Sequence, residues 1–459
     1  MIILNNNRSV HFIGIGGVGM SGLGELLLSL GFSVTGSDRQ ASSITGRLEM
    51  LGARIQYNHT PDLVKQADIV VYSSAIHDDN AEWRFAETEG IPLMRRAEML
   101  GEFMRMKFSI GVAGTHGKTT TTSLIGKILH DARRNPTVIV GGILTHYGSN
   151  AIMGSGEILV AEADEFDRSF LRMFPSIAVV TNIEADHLDC YADLDDIKNA
   201  FAQFMNSVPF YGAVIACADE PGVCEVVKRC SKSVITYGTT VGADYSACDI
   251  VFTRGKTSFS LFKKNIRICD VTMPLPGLHN VKNACAALAV ACELGIGVVE
   301  AATSLSEFSG VRRRFEVIGV GRGVTVIDDY AHHPTEIGAT LSAARSAGYK
   351  KIIAVFQPHL YTRTRDFMNE FAQSLCTADE IIVTSIYKSR EEPLSGVSAA
   401  TIVEKIRGLG HTCCTYVEKK NDIAPYLLPR LCEGDAVIVM GAGDIWETAK
   451  QLSAELCNA

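Results

Sequence analysis

The sequence predicts an α/β protein of three domains, each built on a mostly parallel sheet with flanking helices. Short apolar runs that end in Gly, Ser or Asp alternate with helical stretches along almost the whole chain, as in parallel sheets wrapped by helices. The chain has 459 residues, and a typical domain size of ~150 residues favours about three domains. Glycine-rich loops follow two predicted strands, a position that suits nucleotide phosphates.

Composition excludes several classes of protein. With 47% hydrophobic and 20% charged residues the chain is globular, and a net charge of -8 disfavours nucleic acid as a partner. The apolar run Ala284–Val299 contains Glu293, and the first eight residues lack the pattern of a signal peptide. Thirteen cysteines without a C-x-x-C pair favour a reducing compartment. We expect a cytoplasmic protein without stable membrane association.

The first domain is predicted over residues 1–105. Its strands are expected at Val10–Ile15, Ser33–Thr35, Ile69–Tyr72 and Pro92–Met94, and its helices at Gly19–Leu30 and Thr45–Leu51. Because strands and helices alternate here, this segment is expected to form one Rossmann-like nucleotide-binding unit.

The second domain is predicted over 106–312 and the third over 313–459. The second has expected strands at Phe108–Val112, Ile158–Ala161 and Ile177–Thr181, a helix from Lys118, an antiparallel stretch over Tyr237–Met273 and a helix over Asn280–Leu294. The third has expected strands at Val324–Ile327, Ile352–Phe356, Ile381–Ser385, Cys413–Val417 and Ala436–Met440. This last series predicts a second Rossmann-like unit.

The first glycine loop is a G-x-G-x-x-G motif between a strand and a helix. Its glycines are Gly14, Gly16 and Gly19, with Gly17 between them. They let backbone amides approach a diphosphate at the positive end of the helix, and Asp38 is placed to accept from ribose hydroxyls. Alone, the motif favours an NAD enzyme; alternatively the glycines serve only close helix packing.

The second glycine loop runs from Gly111 to Thr120, again between a strand and a helix. It misses the strict P-loop pattern by one residue, because Val112 stands where that pattern has glycine. Its amides suit a polyphosphate, Lys118 the β and γ phosphates, and the Thr119 hydroxyl Mg²⁺. A chance Gly-Lys-Thr is the alternative, but two successive phosphate loops argue against a plain dehydrogenase.

Acidic residues follow two neighbouring strands of the second domain. Glu162, Asp164 and Glu165 come after one strand, and Glu184, Asp186 and His187 after the next. Ligands bind at the carboxyl ends of strands in open α/β sheets, and carboxylates suit Mg²⁺ on nucleotide phosphates. Each cluster alone also fits a solvated loop or a helix N-cap.

Taken in order, these and later motifs resemble those of the Mur ligases across all three domains. The matching runs are Gly14 to Gly19, Gly114 to Thr121, Glu162 to Glu165, Thr181 to His187, His279-Asn280 with Asn283, Asp328 to Glu336, and Gln357-Pro358-His359. The runs around Lys118 and His332 are most similar to those of the alanine-adding member. Single pieces are weakly specific, whereas the colinear set is specific.

The resemblance implies ATP-dependent amide-bond formation in peptidoglycan precursor synthesis. ATP would phosphorylate the lactyl carboxylate of UDP-N-acetylmuramate, and the amine of L-alanine would displace phosphate from the acyl phosphate. The first domain would hold UDP rather than NAD, the central P-loop-type domain ATP and Mg²⁺, and the third domain the amino acid.

The resemblance also implies site residues, which we carry over as expectations. UDP-sugar contacts are expected at Gly14, Gly16, Gly17, Gly19, Asp38, His59, Ser73, Ser74 and Arg96. ATP contacts are expected at Gly114, Thr115, His116, Gly117, Lys118, Thr119, Thr120, His279, Asn280, Asn283, Arg314 and Asp329, and Mg²⁺ ligands at Thr119, Glu162 and His187. Amino-acid and acyl-phosphate contacts are expected at His332, His359 and Arg363, with Lys118, His332 and Arg363 as catalytic residues.

Simpler interpretations exist for two of these positions. Asn280 could cap the helix that follows it. Pro334 suits the first position of a helix, which would make His333 a cap and leave only His332 for chemistry.

Three other functions fit parts of the chain. A ligase that adds a preformed tripeptide to the same UDP sugar shares much of the frame. An NAD-dependent oxidoreductase fits the first loop alone. A nucleotide-switched binding protein fits both loops, but it would not explain why the acidic residues and the histidines occur together.

Overall fold

The computed structural model describes residues 8–73, 75–144, 149–186, 190–253, 255–389 and 391–458. Within them the chain forms three parallel-rich sheets with flanking helices, which confirms the predicted α/β class. Contacts group the chain into two compact units. The first unit is Met1–Ala247, Leu261–Cys269 and Lys282–Leu305, and the second is Cys248–Ser260, Asp270–Val281 and Ser306–Ala459.

The N-terminal sheet has five strands in the order β3-β2-β1-β4-β5, and all of its pairs are parallel. Its strands are β1 Ser9–Ile13, β2 Ser33–Ser37, β3 Arg54–Gln56, β4 Ile69–Tyr72 and β5 Leu93–Arg95. Its helices are α1 Val18–Ser29, α2 Ser43–Met50, α3 Ala81–Thr88 and α4 Arg96–Met106. The chain order reverses at β1, and this is where open α/β sheets bind ligands.

The four predicted strands of this sheet are confirmed, whereas β3, α3 and α4 were not predicted. Strand β3 has three half-exposed or exposed residues, so it lacks an apolar run. Helix α3 begins at the cap Asn80, whose side chain accepts from the amides of Glu82 and Trp83. A polar helix and a short edge strand leave little periodicity for sequence reasoning to detect.

The central sheet has ten strands in the order β15-β14-β13-β12-β11-β10-β6-β9-β7-β8. They are β6 Phe108–Ala113, β7 Thr137–Leu144, β8 Ser149–Ile152, β9 Ile158–Glu162, β10 Ile177–Val180, β11 Ala213–Cys217, β12 Val234–Gly238, β13 Tyr245–Thr253, β14 Lys256–Lys263 and β15 Ile266–Met273. The helices are α5 Lys118–Asp131, α6 Leu194–Asn206, α7 Pro221–Val227, α8 Leu278–Glu293 and α9 Val298–Ser306. Strand β6, which leads into the second glycine loop, lies between β10 and β9 with both pairs parallel.

Two predictions for this region need correction. The antiparallel stretch predicted from Tyr237 begins with a parallel pair, since β12 and β13 pair in parallel at Tyr237 and Tyr245. Helix α8 begins at Leu278, so Asn280 lies inside it and is not its cap. The side-chain Nδ2 of Asn280 instead donates to the carbonyl of Pro276 at 2.7 Å.

The C-terminal sheet has six strands in the order β16-β17-β21-β18-β19-β20, with β16 antiparallel to β17 and the other pairs parallel. They are β16 Glu316–Gly321, β17 Val324–Asp329, β18 Lys351–Phe356, β19 Glu380–Val383, β20 Cys414–Tyr416 and β21 Asp435–Met440. The helices are α10 Pro334–Ser346, α11 Tyr361–Asp366, α12 Met368–Leu375, α13 Ala399–Gly408, α14 Ile423–Leu427 and α15 Trp446–Asn458. Alternate residues along β17 and β21 belong to two different buried clusters. Helices therefore cover both faces of this sheet.

Helix α8 and the cysteines also bear on the predictions from composition. The apolar run Ala284–Val299 is buried over residues 284–291 of α8, but α8 ends at Glu293 and Val299 is exposed on α9. Among the described helices, none combines the length and apolarity needed to cross a membrane. All thirteen cysteines lie among the described residues, and none of them forms a disulfide there.

Candidate active site

The first glycine loop is tied to the end of β2. The amides of Gly14 and Ile15 both donate to the carbonyl of Ser37 at 2.9 Å. The Gly16 amide donates to Oδ2 of Asp38 at 2.8 Å, and a Cβ atom added at Gly16 would lie 2.7 Å from that oxygen. Asp38 therefore holds the loop, in addition to its predicted contact with a ribose.

A basic side chain from another helix reaches the start of α1. A Cβ atom added at Gly19 would lie 3.0 Å from Nη1 of Arg96, the first residue of α4. The guanidinium is thus packed on the first turn of α1, where the amides of a helix N-terminus already favour an anion. The structure brings together Arg96 and the glycine loop, as the sequence predicts.

The predicted ligand residue His59 is held by a buried carboxylate. Its Nδ1 lies 2.7 Å from Oε2 of Glu82 and 3.1 Å from Oγ of Ser37. No sequence motif pointed to Glu82, which lies on the unpredicted helix α3. Ser73 follows β4 and its carbonyl accepts from the amide of Ile76, while Ser74 lies outside the described residues.

The second glycine loop adopts backbone conformations that suit glycine. Gly114 has φ +141° and Gly117, the N-cap of α5, has φ +83°. A Cβ atom at Gly117 would lie 2.7 Å from Oδ1 of Asn283, and the same oxygen accepts from the Thr121 hydroxyl at 3.1 Å. The loop, α5 and α8 therefore meet at Asn283, one of the predicted ATP contacts.

Lys118 lies among carboxylates and loop carbonyls. Its Nζ donates to the carbonyl of Gly114 at 2.7 Å and to Oε2 of Glu165 at 2.7 Å, with Oδ1 of Asp164 at 3.8 Å. Burial alone would lower the pKa of Lys118, but Glu165 and Asp164 outweigh it and raise that pKa. The lysine is therefore a fixed positive charge at the mouth of the loop.

The other predicted loop residues have defined partners. The His116 amide donates to Oδ1 of Asn182, and the Glu184 amide to the Thr115 hydroxyl. Thr119 and Thr120 lie buried in the first turn of α5. These contacts join the loop to the end of β10, the second of the two acidic strand ends.

Of the three predicted Mg²⁺ ligands, two lie within the described residues. Glu162 ends β9, and its Oε1 accepts from the Gly141 amide at 2.7 Å. Its charge also contributes to raising the pKa of Lys118. His187 lies outside the described residues.

Two predicted ATP residues, His279 and Asn280, lie in the second unit and share helix α8 with Asn283 of the first. A Cβ atom at Gly277, which has φ +97°, would lie 2.7 Å from Cε1 of His279. Gly277 thereby leaves room for the imidazole at the start of α8.

At the end of β17 two buried carboxylates meet two arginines. Nε of Arg313 lies 3.3 Å from Oδ2 of Asp328, and Asp329 accepts from the amides of Phe315 and Ala331, each at 2.8 Å. Burial raises the pKa of Asp328 to about 7 and that of Asp329 to about 6. Arg314 lies 3.7 Å from Glu336.

His332 is oriented by its surroundings. Its Nδ1 lies 2.9 Å from the carbonyl of Tyr330 and 3.2 Å from Oε2 of Glu336. Both partners only accept hydrogen bonds, so Nδ1 carries a proton and Nε2 is the nitrogen left for other contacts. His333 is the N-cap of α10 and Pro334 its first residue, which confirms the interpretation of His333 as a cap.

The structure brings His332 and His359 together, with ring centroids 6.0 Å apart. His359 in turn stacks on Tyr387 at 5.8 Å. Arg363 is buried on the short helix α11 that follows. The three predicted amino-acid contacts thus follow the carboxyl ends of β17 and β18, the ligand-binding edge of the sheet.

Two glycine loops at strand ends, one of them carrying a buried lysine among carboxylates, define a nucleotide-binding α/β protein of the phosphate-loop class. Family profiles match three consecutive segments: "Mur ligase family, catalytic domain" over 9–108, "Mur ligase middle domain" over 112–291 and "Mur ligase, glutamate ligase domain" over 313–443.

Sequence and structure relatives agree with these profiles. The chain is 49% identical to a UDP-N-acetylmuramate--L-alanine ligase of Salinibacter ruber, over 97% of this chain and 94% of that one. It is 46% identical to the Geotalea uraniireducens protein of the same name, over 98% of each chain. The crystal structure of a UDP-N-acetylmuramate-alanine ligase from Thermotoga maritima matches with TM-score 0.82 and 30% identity, covering 98% of this chain and 99% of that one. The chain belongs to the Mur ligase family.

Proposed function

We propose that this protein is an ATP-dependent ligase that joins L-alanine to the lactyl carboxylate of UDP-N-acetylmuramate, the first amino-acid addition in peptidoglycan precursor synthesis. The observation that carries the proposal is identity of 46–49% over 97–98% of the chain to proteins named for this reaction. Both glycine loops lie within the matched region.

The chemistry proceeds in two steps. The lactyl carboxylate attacks the γ-phosphorus of ATP, which breaks the bond to ADP and forms an acyl phosphate. The alanine amine then attacks the acyl carbon, and inorganic phosphate leaves. Phosphoryl transfer depends mainly on positioning and on neutralising charge. We assign that role to Lys118 and the amides of residues 114–119, while His279, Asn280, Asn283, Arg314 and Asp329 are proposed to complete the ATP site.

Mg²⁺ is the proposed metal, and the residues present fit it. The Thr119 hydroxyl and the Glu162 carboxylate supply oxygen, the donor that Mg²⁺ prefers, and Gly141 leaves space beside Glu162 that a Cβ atom would fill at 3.0 Å. His187 is the proposed third ligand. Bound Mg²⁺ supplies charge neutralisation on the β and γ phosphates.

His332 is the proposed base for the alanine ammonium. The Tyr330 carbonyl and Glu336 keep the proton on Nδ1, so Nε2 is the nitrogen that takes up a proton. His359 and Arg363 are proposed to hold the amino acid and the acyl phosphate.

The remaining expectations are proposals of the same kind. Gly14, Gly16, Gly17, Gly19, Asp38, His59, Ser73, Ser74 and Arg96 are proposed to bind the UDP sugar. Domain boundaries near 105 and 312 are likewise proposed, and they are supported by family profiles that end at 108 and begin at 313. A cytoplasmic location is proposed from the thirteen cysteines, none of which forms a disulfide in the described residues.

The test is phosphate release from ATP and Mg²⁺ with UDP-N-acetylmuramate, in the presence of L-alanine, of the tripeptide or of neither. We expect release and a product mass increased by one alanine residue only with L-alanine. Release supported by the tripeptide alone would instead identify the alternative ligase, which adds a preformed tripeptide to the same UDP sugar. The murein peptide ligase of Psychrobacter arcticus matches this chain at 25% identity and TM-score 0.69, below the 30% and 0.82 of the alanine ligase from Thermotoga maritima. This order favours the alanine reaction.

A further inference from the structure

A fully buried carboxylate lies beneath the ligand edge of the N-terminal sheet. The side chain of Glu82 on α3 is 0% exposed. Its Oε2 lies 2.6 Å from the Ser37 hydroxyl and 2.7 Å from Nδ1 of His59. Its Oε1 lies 3.0 Å from Nε2 of Gln56 and 3.1 Å from Nε2 of His11. Four side chains from β1, β2, β3 and the loop after β3 thus converge on one carboxylate.

These contacts show that Nδ1 of His59 carries a proton. The Ser37 hydroxyl donates to Glu82, so its oxygen can only accept from His59 at 3.1 Å. The carboxylate also only accepts. His59 therefore carries a proton on Nδ1, and Nε2 is the nitrogen left for a ligand.

Only one of the two histidines in this network reaches the surface. The His11 side chain is 0% exposed and the His59 side chain 24%. His11 is held on its other side by the Thr35 hydroxyl, 2.8 Å from Nδ1. His11 thus serves the interior of the sheet, whereas His59 lies at its edge.

The network is also joined to the first glycine loop. Ser37, whose hydroxyl contacts Glu82, accepts through its carbonyl from the amides of Gly14 and Ile15. The carboxylate, the histidine and the loop therefore share one residue at the end of β2.

We infer that Glu82 is a positioning residue for the nucleotide sugar: it fixes the orientation and the Nδ1 proton of His59, so that Nε2 is presented to the nucleotide part of the ligand. This inference rests on the proposed function, in which His59 contacts the UDP sugar. A hydrogen bond to a charged group is stronger than one between neutral groups, so this contact holds the ring against rotation.

The test is binding of UDP-N-acetylmuramate, measured by calorimetry without ATP, to the wild type and to Glu82→Gln. Glutamine keeps the shape but loses the charge, so we expect about tenfold weaker binding, with ATP affinity unchanged and kcat close to the wild-type value. Glu25→Gln is the matched control, because Glu25 is buried in the same unit in an ion pair with Arg47 at 3.1 Å. It should bind the UDP sugar as the wild type does.

A double-mutant cycle separates positioning from support of the fold. If Glu82 acts through His59, Glu82→Gln should weaken binding in the wild type but have little effect in a His59→Ala background. Equal losses in both backgrounds, or an unchanged affinity in Glu82→Gln, would overturn the inference. A wild type that does not bind the UDP sugar would instead contradict the proposed function.

A spectroscopic measurement serves if Glu82→Gln does not fold. Nitrogen-15 NMR of the histidine rings in the wild type should show His59 with Nδ1 protonated. A ring protonated only at Nε2 would overturn the inference independently of any variant.

Discussion

The two glycine loops of this protein follow parallel strands in the same way but differ in the charges around them. In the second loop Lys118 belongs to the loop itself and donates to Glu165 and to the Gly114 carbonyl. In the first loop the basic group, Arg96, comes from another helix and packs on Gly19, while Asp38 accepts from the Gly16 amide.

This difference suits the first loop to binding a substrate that stays intact there and the second loop to the phosphoryl-transfer reaction. A cation fixed within the loop reaches the phosphates of a nucleotide that loses its terminal group, and carboxylates nearby suit a divalent cation. A loop braced by an aspartate and supplemented by a remote arginine is suited to hold a diphosphate that stays intact. We therefore expect the first loop to affect affinity for the UDP sugar and the second to affect turnover.

The largest effect is expected at Lys118. Lys118→Met should lower kcat by about 10³-fold or more, since charge neutralisation at the γ-phosphate is lost. It should also lower the free energy of unfolding by about 3 kcal/mol, because Glu165, 3% exposed, loses its ion pair with Lys118. Steady-state kinetics and denaturant unfolding measure both.

The control is Lys118→Met combined with Glu165→Gln, which should recover stability but not activity. Recovery of turnover in this double variant would show that the lysine is structural and that the two loops do not differ as described.

A pair of glycine variants compares the loops directly. Gly117→Ala adds a Cβ atom 2.7 Å from Asn283, at φ +83°, and should raise KM for ATP about 10-fold or more by strain. Gly16→Ala adds one 2.7 Å from Asp38 and should raise KM for the UDP sugar instead. If each variant changed both KM values equally, the division of substrates between the loops would be wrong.

A smaller effect is expected at Arg96. Arg96→Met should weaken UDP-sugar binding by about tenfold at low salt, and less at high salt, because a diphosphate contact is screened. Calorimetry at two salt concentrations measures the difference. Arg47→Met is the control, since Arg47 pairs with Glu25 and is 44% exposed; it should leave binding unchanged.

The smallest expected effect is on stability, at the end of β17. This strand end carries the buried carboxylates of Asp328 and Asp329 instead of a glycine loop. Burial raises the pKa of Asp328 to about 7, against ~3.9 in an unfolded chain. The folded state therefore keeps a proton that the unfolded state loses, and stability falls as pH rises from about 4 to about 7.

Asp328→Asn removes this dependence. The Tm of the variant relative to the wild type should rise between pH 4.5 and pH 7.5, by an amount corresponding to at most about 4 kcal/mol. Thermal unfolding at several pH values measures it. A constant difference in Tm across this range would contradict the raised pKa.

The sequence predicted most of the architecture because its strands are continuous apolar runs. Buried strands such as β1 and β18 are recognisable as runs of apolar residues. Both glycine loops lie between a strand and a helix, as predicted. Strand β3 and helix α3 were not predicted because their residues are largely polar or exposed. Helix α8 starts at Leu278, two residues before the expected Asn280, whose side-chain amide donates to the carbonyl of Pro276 ahead of the helix.

Site residues were predictable where the chemistry lies in a local motif. Lys118 and Glu162 lie within short signatures at strand ends, and Glu162 pairs with Val112 on β6, the strand that leads into the loop of Lys118. Glu82 and Glu165 act through partners distant in sequence, 23 residues from His59 and 47 from Lys118. No local pattern marks such a pair, so only the fold reveals that these carboxylates hold the predicted residues.

The most direct test of the account follows oxygen from one substrate to the other. UDP-N-acetylmuramate labelled with ¹⁸O in its lactyl carboxylate is incubated with ATP, Mg²⁺ and L-alanine, and the released phosphate is analysed by mass spectrometry. Transfer of the phosphoryl group from the second loop's nucleotide to the ligand of the first loop predicts one labelled oxygen in each phosphate. Unlabelled phosphate accompanying amide formation would contradict the acyl phosphate and with it the proposed roles of the two loops.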